Sequence, residues 1–537
     1  MPRFAAIAFN GLAVSIARER MGTSESPPLP LAVVMARPGS VESEASLLGN
    51  TRLSEVSPEA RALGIRAGQT LAAAKAKQGD LRVRVVSRAA VQAALVRVAE
   101  MALSFGATTA FESGAAGDVV WVDVTGCAHL HAGPDDAVGE RTLGESLARA
   151  VRAMGHDCRV AIADGARVAA AVARFARGGA GDAPLLVPLH GSARAMGKLP
   201  LAALAVFGLP DDALSWLGKL GARKVADVQR LPRAALAARL GHDAPRVMAI
   251  LEGDDRAPLT PHVPRERPIE RVALEYGVTH HEALFFVIKR LCDRLALRLE
   301  GRVAKAGKLL LRLEVDHAVS GAPAKDPALP LTLASPLVKA DELFAVVRAK
   351  VLSPDGAARL ALEWEENGTG DVPILAVSLE VTEEVAARAV PQHLFVPEAK
   401  AERALPRLVA ELSAELGSHA VGVLALSDTW VTTERSRLVP YKASGPSRLG
   451  PPLVSAGEEM TRLLPVPVPV SRRALSQARL VARSEQVEWW KPSPAPHDTF
   501  VAFYSTERGA DRAGAHGTAW VMVDRRTGEA FIQGWID

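Results

Sequence analysis

Gly117-Asp-Val-Val-Trp-Val-Asp-Val-Thr-Gly126 decides how the rest of this 537-residue chain is read. Its valines, with polar residues at intervals and a stop at Thr125-Gly126, predict a short strand ending in a turn. Asp118 stands at one end and Asp123 further along. Two carboxylates on one strand suit a divalent cation, and equally a plain core strand whose carboxylates are satisfied by neighbouring groups. Outward from this stretch, strands are predicted at Phe4–Phe9 and Val160–Ile162, and helices at Arg61–Lys77, Ala89–Leu103, Leu143–Met154 and Ala166–Phe175. The pattern predicts mixed α/β structure over residues 1–190.

Composition narrows the class. A chain this long exceeds one hydrophobic core and implies several domains. Apolar residues at 48% and charged residues at 23% are ordinary for a globular protein. No uninterrupted run of about 18 apolar residues occurs, so no membrane span is expected. The apolar part of the N-terminus is short for a signal peptide. Three scattered cysteines without a Cys-x-x-Cys argue against a disulfide framework or zinc site, and fit a reducing cytoplasm. Basic residues concentrate locally, with six against one acid between Trp216 and Arg239 and eleven against six acids between Arg265 and Arg312. Such clustering suits a polyanion partner.

Residues 199–262 are predicted all-helical. Leu217-Gly-Lys-Leu-Gly-Ala-Arg-Lys-Val-Ala-Asp-Val228 fits a helix-hairpin-helix, where Gly218 and Gly221 let backbone amides approach a phosphate and Lys219, Arg223 and Lys224 stand nearby. Residues 265–385 read as a further α/β domain. In it Leu284, Ile288, Leu291, Leu295 and Leu299 form an apolar helix stripe. Arg290, Arg294, Arg298 and Arg302 recur on another face, read as solvated. Lys308 and Arg312 share one face of a predicted strand. Ala389-Val-Pro-Gln-His-Leu-Phe-Val-Pro397 predicts an extended peptide. Leu405, Leu408, Leu412 and Leu416 predict an amphipathic helix closed by Gly417. Residues 444–475, with Leu464-Pro-Val-Pro-Val-Pro-Val470, read as a semi-extended linker. Ala519–Asp524 and Ala530–Trp535 read as a β-hairpin.

The opening strand resembles the second catalytic strand of Y-family (translesion) DNA polymerases, Ser-Ile-Asp-Glu-Ala-Phe-Leu-Asp-Val-Thr-Gly, with Asp118-Val119 in place of its Asp-Glu pair. Ser57-Pro-Glu-Ala-Arg-Ala-Leu-Gly-Ile-Arg-Ala-Gly68 resembles that family's fingers motif. The resemblance puts Pro58 at the nucleotide-contacting Tyr and keeps Arg61 as the remnant of the triphosphate contact. Matched to the first catalytic strand, Ile7-Ala-Phe-Asn-Gly-Leu-Ala-Val14 places Ala8 at the metal-binding Asp, Asn10 at a second Asp and Ala13 at the sugar gate. Ala170 falls at the lysine that contacts the triphosphate. Of the three metal ligands only Asp118 remains, as a vestige. Asp164 or Glu112, from the preceding loop, are the remaining candidate ligands.

Asp123-Val-Thr-Gly-Cys-Ala128, Leu424-Ala-Leu-Ser-Asp-Thr429, Glu434-Arg435, Glu488-Trp-Trp490 and Phe531-Ile-Gln-Gly-Trp535 are similar to the ImuB family, Y-family-like subunits of bacterial damage-inducible mutagenesis cassettes. That resemblance implies an α/β multidomain chain. Its parts are palm and fingers at 1–195, a helix-hairpin-helix thumb at 196–263, a little finger at 264–388 and a clamp-binding peptide at 389–397. A helical and strand segment at 398–443, the linker at 444–475 and a partner-binding tail with a small β element at 476–537 follow. It implies an SOS-induced scaffold without polymerase activity, cytoplasmic and nucleoid-associated, with no cofactor and no metal. The implied partners are DNA, the β sliding clamp, an error-prone replicative-type polymerase and a RecA-like protein, ImuA. DNA would be held by Lys219, Arg223, Lys224, Lys308 and Arg312, and the clamp by Gln392, Leu394 and Phe395.

The alternative is an active Y-family polymerase with a rearranged metal site. An unrelated NTPase is disfavoured, since Gly191-Ser-Ala-Arg-Ala-Met-Gly-Lys-Leu199 has five residues between its glycines and Leu where Ser or Thr belongs. No hydrolase triad is evident.

Overall fold

Two units, Met1–Glu415 and Leu416–Asp537, make up the chain. The computed structural model describes residues 2–21, 29–36, 44–114, 117–132, 136–177, 183–255, 258–319, 323, 325–360, 369–387, 400–417, 419–426, 436–440, 462–485, 496–505 and 516–536.

The first unit begins with β1 (Arg3–Phe9), α1 (Leu12–Met21), β2 (Leu31–Met35), β3 (Glu55–Val56), α2 (Pro58–Ala62), α3 (Leu71–Lys77), β4 (Arg82–Val86) and α4 (Arg88–Ala102). There follow β5 (Thr109–Gly114), β6 (Gly117–Asp123), α5 (His129–Ala132), α6 (Asp136–Ala153), β7 (Cys158–Asp164), α7 (Ala166–Phe175) and β8 (Leu185–Leu186). The central sheet runs β5-β6-β1-β7-β8, antiparallel except between β7 and β8.

Both faces of the central sheet are covered at its middle, where β1, β6 and β7 carry mostly apolar residues. Ile7, Val120, Val122 and Ile162 share one core with Leu95 and Val98 of α4 and Leu147 of α6. On the other face Ala6, Ala8, Ala161 and Ala163 meet Ala169, Ala170 and Ala173 of α7. Small side chains on both surfaces let this helix lie close to the strands. Trp121 is fixed there by donating from Nε1 to the Ala166 carbonyl at 2.7 Å.

A smaller sheet, β3-β2-β4, packs with α2 and α3 around Val34, Val56, Ile65 and Leu71. The single helix expected over Arg61–Lys77 is therefore two. Gly64 and Gly68 turn the chain between them at φ of 80° and 84°, conformations that a Cβ disfavours. Each helix has its own cap, Ser57 accepting from Ala60 N and Thr70 from Ala73 N.

After α8 (Ser192–Gly197), the stretch expected to be helical holds a 3₁₀ turn (Leu201–Phe207), α9 (Asp211–Lys219), α10 (Val225–Gln229), α11 (Arg233–Leu240) and α12 (Ala244–Leu251), its helices ending at Leu251 rather than 262. Next come β9 (Ile269–His280), α13 (His281–Gly301), β10 (Ala304–Val315), β11 (Ala328–Leu337), α14 (Ala340–Leu352), α15 (Pro354–Leu360), β12 (Thr369–Ala386) and α16 (Lys400–Leu416). The sheet order is β11-β10-β12-β9, all antiparallel. The leucine stripe of α13, from Leu284 to Leu299, is buried against it.

The arginine row of α13 is not a solvated face. Arg294 and Arg298 are buried, at 2% and 4% exposure. Arg294 pairs with Glu19 and donates to the Met154 carbonyl at 2.8 Å. Arg298 reaches Glu100 at 2.8 Å and Glu270 at 2.7 Å, and Arg302 reaches Glu100 at 3.0 Å and Glu384 at 2.8 Å. Four-residue spacing aligns the row along the helix. Its carboxylates come from α1, α4, β9 and β12. Gly301 completes the junction, because a Cβ there would overlap the Glu100 carbonyl oxygen.

The second unit holds β13 (Gly422–Leu426), β14 (Ser436–Pro440), β15 (Arg462–Val470), β16 (Leu475–Ser484), β17 (His497–Ser505), β18 (His516–Asp524) and β19 (Ala530–Ile536). β13 pairs with β14, and the others form an antiparallel sheet ordered β15-β19-β18-β17-β16. The hairpin expected near residue 525 is β18-β19. The reading of 444–475 as a linker needs correction where it is described, because Arg462–Val470 is a strand paired with β19. Its three prolines are tolerated at an edge, where one side of the strand makes no ladder bonds. Among the described residues no helix is long and apolar enough to cross a membrane.

Candidate functional site

β1 and β6 bring side by side the positions that the resemblance matches to catalytic strands. Ala8 is the cross-strand partner of Val119, and both are buried in one apolar cluster with Ala170. Asp118 stands beside Val119 with its Oδ1 accepting from Ser113 Oγ at 2.6 Å. Asp123 closes the strand end, accepting from Thr125 N at 3.0 Å and Thr125 Oγ1 at 2.6 Å.

The other two candidate ligands have different surroundings. Glu112 lies in β5 rather than in a loop, opposite Val119. Asp164 pairs across from Arg3, five residues along β1 from Ala8 and hence about 17 Å away. Its oxygens are held by Arg3 at 3.0 Å and by His190 N at 2.6 Å. Among the described residues no three His, Cys, Asp or Glu gather as a cation site.

Sequence reasoning missed Glu55. Reaching from β3, its Oε2 accepts the amides of Ala13 at 3.1 Å and Val14 at 3.3 Å, at the N-terminus of α1. A carboxylate is favoured there by the free amides and the helix dipole. Burial pushes the Glu55 carboxyl above its usual range against the pull of the Val14 amide, and nearby Asp118 pushes the same way. No local pattern pairs residue 55 with residue 13, so this contact had no sequence signal. Arg61 is turned to a structural task, donating from Nε and NH2 to the Val56 carbonyl at 3.3 and 3.2 Å.

Lys219, Arg223 and Lys224 are exposed around the turn joining α9 to α10. Gly221 takes φ of 89°, as a tight helix junction requires. The amides expected to meet phosphate are already donating within the chain. Gly221 N bonds Gly218 O at 3.0 Å, and Arg223 N and Lys224 N both bond Asp227 Oδ2 at 2.9 Å. These amides hold the Asp227 carboxyl below its usual range. The groups of this turn left open to an anion are therefore the side chains of Lys219, Arg223 and Lys224. The earlier junction at Gly208 leads into Asp211 and Asp212, whose charge suits the helix dipole and opposes a phosphate.

Lys308 and Arg312 share the solvent face of β10, as their spacing predicts. Lys308 pairs with Glu383 at 2.7 Å, and Arg271 pairs with Glu314 at 2.6 Å on the same sheet. This face carries both signs. Gln392, Leu394 and Phe395 lie outside the described residues, as do Glu434-Arg435 and Glu488-Trp-Trp490.

The IMS: impB/mucB/samB family model matches residues 29–174. Protein ImuB of Caulobacter vibrioides strain NA1000 / CB15N is 32% identical over 247 residues, 45% of this chain and 50% of that protein. Protein ImuB of strain ATCC 19089 / CIP 103742 / CB 15 gives the same figures. The sequence is ImuB-like over that stretch, and the chain spans about half the length of the curated relatives it matches. Among solved structures, the insertion ternary complex of Dbh DNA polymerase aligns over 71% of this chain and 98% of that chain, with a TM-score of 0.38 and 12% identity.

Proposed function

We propose that the chain is a non-catalytic, Y-family polymerase-like scaffold in damage-induced translesion DNA synthesis and mutagenesis. It binds DNA and the sliding clamp, and brings an error-prone replicative-type polymerase and a RecA-like accessory protein to the lesion. The pairing of Ala8 with Val119 inside an apolar cluster carries the reading. Two-metal phosphoryl transfer needs clustered carboxylates around both cations, and Asp118 alone cannot supply them. The neighbouring anion position at the α1 N-terminus is filled by Glu55. Arg61 is engaged with a backbone carbonyl.

In this reading Lys219, Arg223 and Lys224 are the main phosphate contacts, with Lys308 and Arg312 adding to them. Gln392, Leu394 and Phe395 tether the chain to the clamp, and the region after Pro397 holds the partner proteins. Tethering raises the local concentration of the synthesising polymerase without any new catalytic contact.

Primer extension tests the proposal, using purified protein, a primed template, all four dNTPs and Mg²⁺ or Mn²⁺, with Asp118→Ala alongside to expose contaminating polymerase. The expected outcome is no extension together with retained DNA binding. Extension that disappears in Asp118→Ala would establish a rearranged metal site instead. Alanine at 392, 394 and 395 together should abolish clamp binding and leave DNA affinity intact.

A further inference from the structure

A cleft of about 940 Å³ opens between the end of α7, β8, α8 and the turn before α10. Arg177, Arg194, Lys198, Arg223 and Lys224 stand around it, and neither Asp nor Glu lines it. All five cations are exposed, and none forms an ion pair with a described carboxylate. Asp227, which weakly balances Lys224, is turned to the backbone amides of its own turn. Between the cations lies an apolar floor that includes Val172, Phe175, Leu185 and Leu199. Two of the cations, Arg194 and Lys198, belong to the stretch that fails as a P-loop.

The geometry points to this cleft as a seat for a short run of single-stranded nucleic acid, with phosphates against the five cations and base faces against the floor. This deepens the DNA-binding reading and rests on it. A volume near the top of the roughly 300–1,000 Å³ typical of small-ligand pockets admits a few nucleotides and is far too narrow for a duplex. A duplex keeps its bases stacked and paired, and would leave the apolar floor unused. A single strand exposes base faces that gain by burial there, while unpaired cations replace its counterions. The turn amides are closed by Asp227, so the grip is made by flexible side chains. Recognition is accordingly sequence-neutral and salt-dependent.

The test is fluorescence anisotropy on the full chain with labelled oligothymidylate and with a blunt duplex, each at low and at physiological salt. Arg194→Glu with Lys198→Glu is the first cleft variant, and Arg177→Gln with Arg223→Gln is a second drawn from other elements. Circular dichroism checks that each is folded. Either cleft variant should bind oligothymidylate roughly tenfold more weakly, with the salt slope reduced by about 1.4 for two lost phosphate contacts. Cleft variants that bind oligothymidylate as the parent does would overturn the cleft and leave DNA binding elsewhere on the chain standing. A parent chain that binds neither probe would overturn both readings. Displacement of oligothymidylate by polyglutamate as readily as by unlabelled oligothymidylate would make this a seat for an acidic peptide, and would also overturn the inference.

Discussion

Arg294 and Arg298 on α13 and Arg302 just past its end all reach carboxylates or carbonyls drawn from distant segments. Arg177, Arg194, Lys198, Arg223 and Lys224 around the cleft end in solvent. The α13 row and the Arg223–Lys224 pair both lie in basic stretches of the sequence, to which the fold adds Arg177, Arg194 and Lys198, and charge counting alone gives the two stretches the same meaning. Their surroundings separate them. A buried guanidinium is tolerable only when paired and hydrogen-bonded, so the α13 row is committed to holding β9–β12 and α13 against α1 and α4. An exposed cation with no partner keeps its hydration and its counterions, and can exchange both for a polyanion. Pairing, rather than positive charge, tells structural arginines from binding ones.

Removing Arg298 should have the largest effect. Arg298→Ala removes the guanidinium that buried Glu100 and Glu270 share, leaving Glu100 to Arg302 and Glu270 to the longer 3.8 Å pair with Arg97, and should cost about 3–5 kcal/mol in urea unfolding. Adding Glu100→Gln and Glu270→Gln to that variant should return part of the loss, because neutral amides carry no uncompensated charge. Oligothymidylate affinity of the folded fraction should stay unchanged. A cost under about 1 kcal/mol, the range of exposed pairs, would erase the distinction between the two groups. The cleft reversals supply the opposite signature, a binding loss with stability within about 0.5 kcal/mol of the parent.

Acid should weaken the α13 junction by a defined route. His156, which shares a 2.8 Å hydrogen bond with Ser15, is pushed down to about 3 by burial, with Arg97, Arg294 and Arg290 adding to the shift. Its folded pKa lies below its ordinary 6.5, so its contribution is full above pH 6.5 and is lost as pH falls toward 3. Burial pushes Glu100 up, but neighbouring His262 and the guanidiniums of Arg298 and Arg302 outweigh it and hold Glu100 below its ordinary 4.5. Its contribution is present above that value and lost as pH falls through the lowered one. Glu55 acts oppositely, since its raised pKa makes its ionised form a cost that acid relieves. Urea midpoints should therefore decline from pH 7 to 5, and His156→Gln should flatten that decline. A parent profile flat across that interval would show the junction to be indifferent to His156.

The sequence revealed the fold where local patterns suffice. Strands β1, β6 and β7 and helices α4, α6, α7 and α13 follow from apolar runs, caps and the leucine stripe. The small sheet was missed because β3 has two residues and because β2 and β4 pair in parallel from segments some fifty positions apart. The candidate site divides the same way. Ala8 facing Val119 was legible through family resemblance to two separate strands. Glu55 on the α1 amides, the carboxylates around α13 and the cleft between α7 and α8 join residues with no periodic relation, so only the fold could bring them together. Pro465, Pro467 and Pro469 misled for a different reason. They announce a break in most settings, but an edge strand lacks the bonds they would remove.

The smallest predicted effect sharpens the comparison at its intermediate case. Lys308 and Arg312 are exposed like the cleft cations, yet they share a sheet face with Glu314 and Glu383, and Lys308 is already paired at 2.7 Å. A phosphate approaching that face must compete with a carboxylate for Lys308 and meets a field of both signs. Lys308→Glu with Arg312→Glu should therefore weaken binding of duplex or oligothymidylate by only about two- to threefold, less than one full phosphate contact changes it over a physiological range of salt. Glu383→Gln, by freeing Lys308, should strengthen binding slightly in the same titration. A loss at Lys308 and Arg312 equal to that at Arg194 and Lys198 would mean that ion pairing does not decide which cations hold nucleic acid.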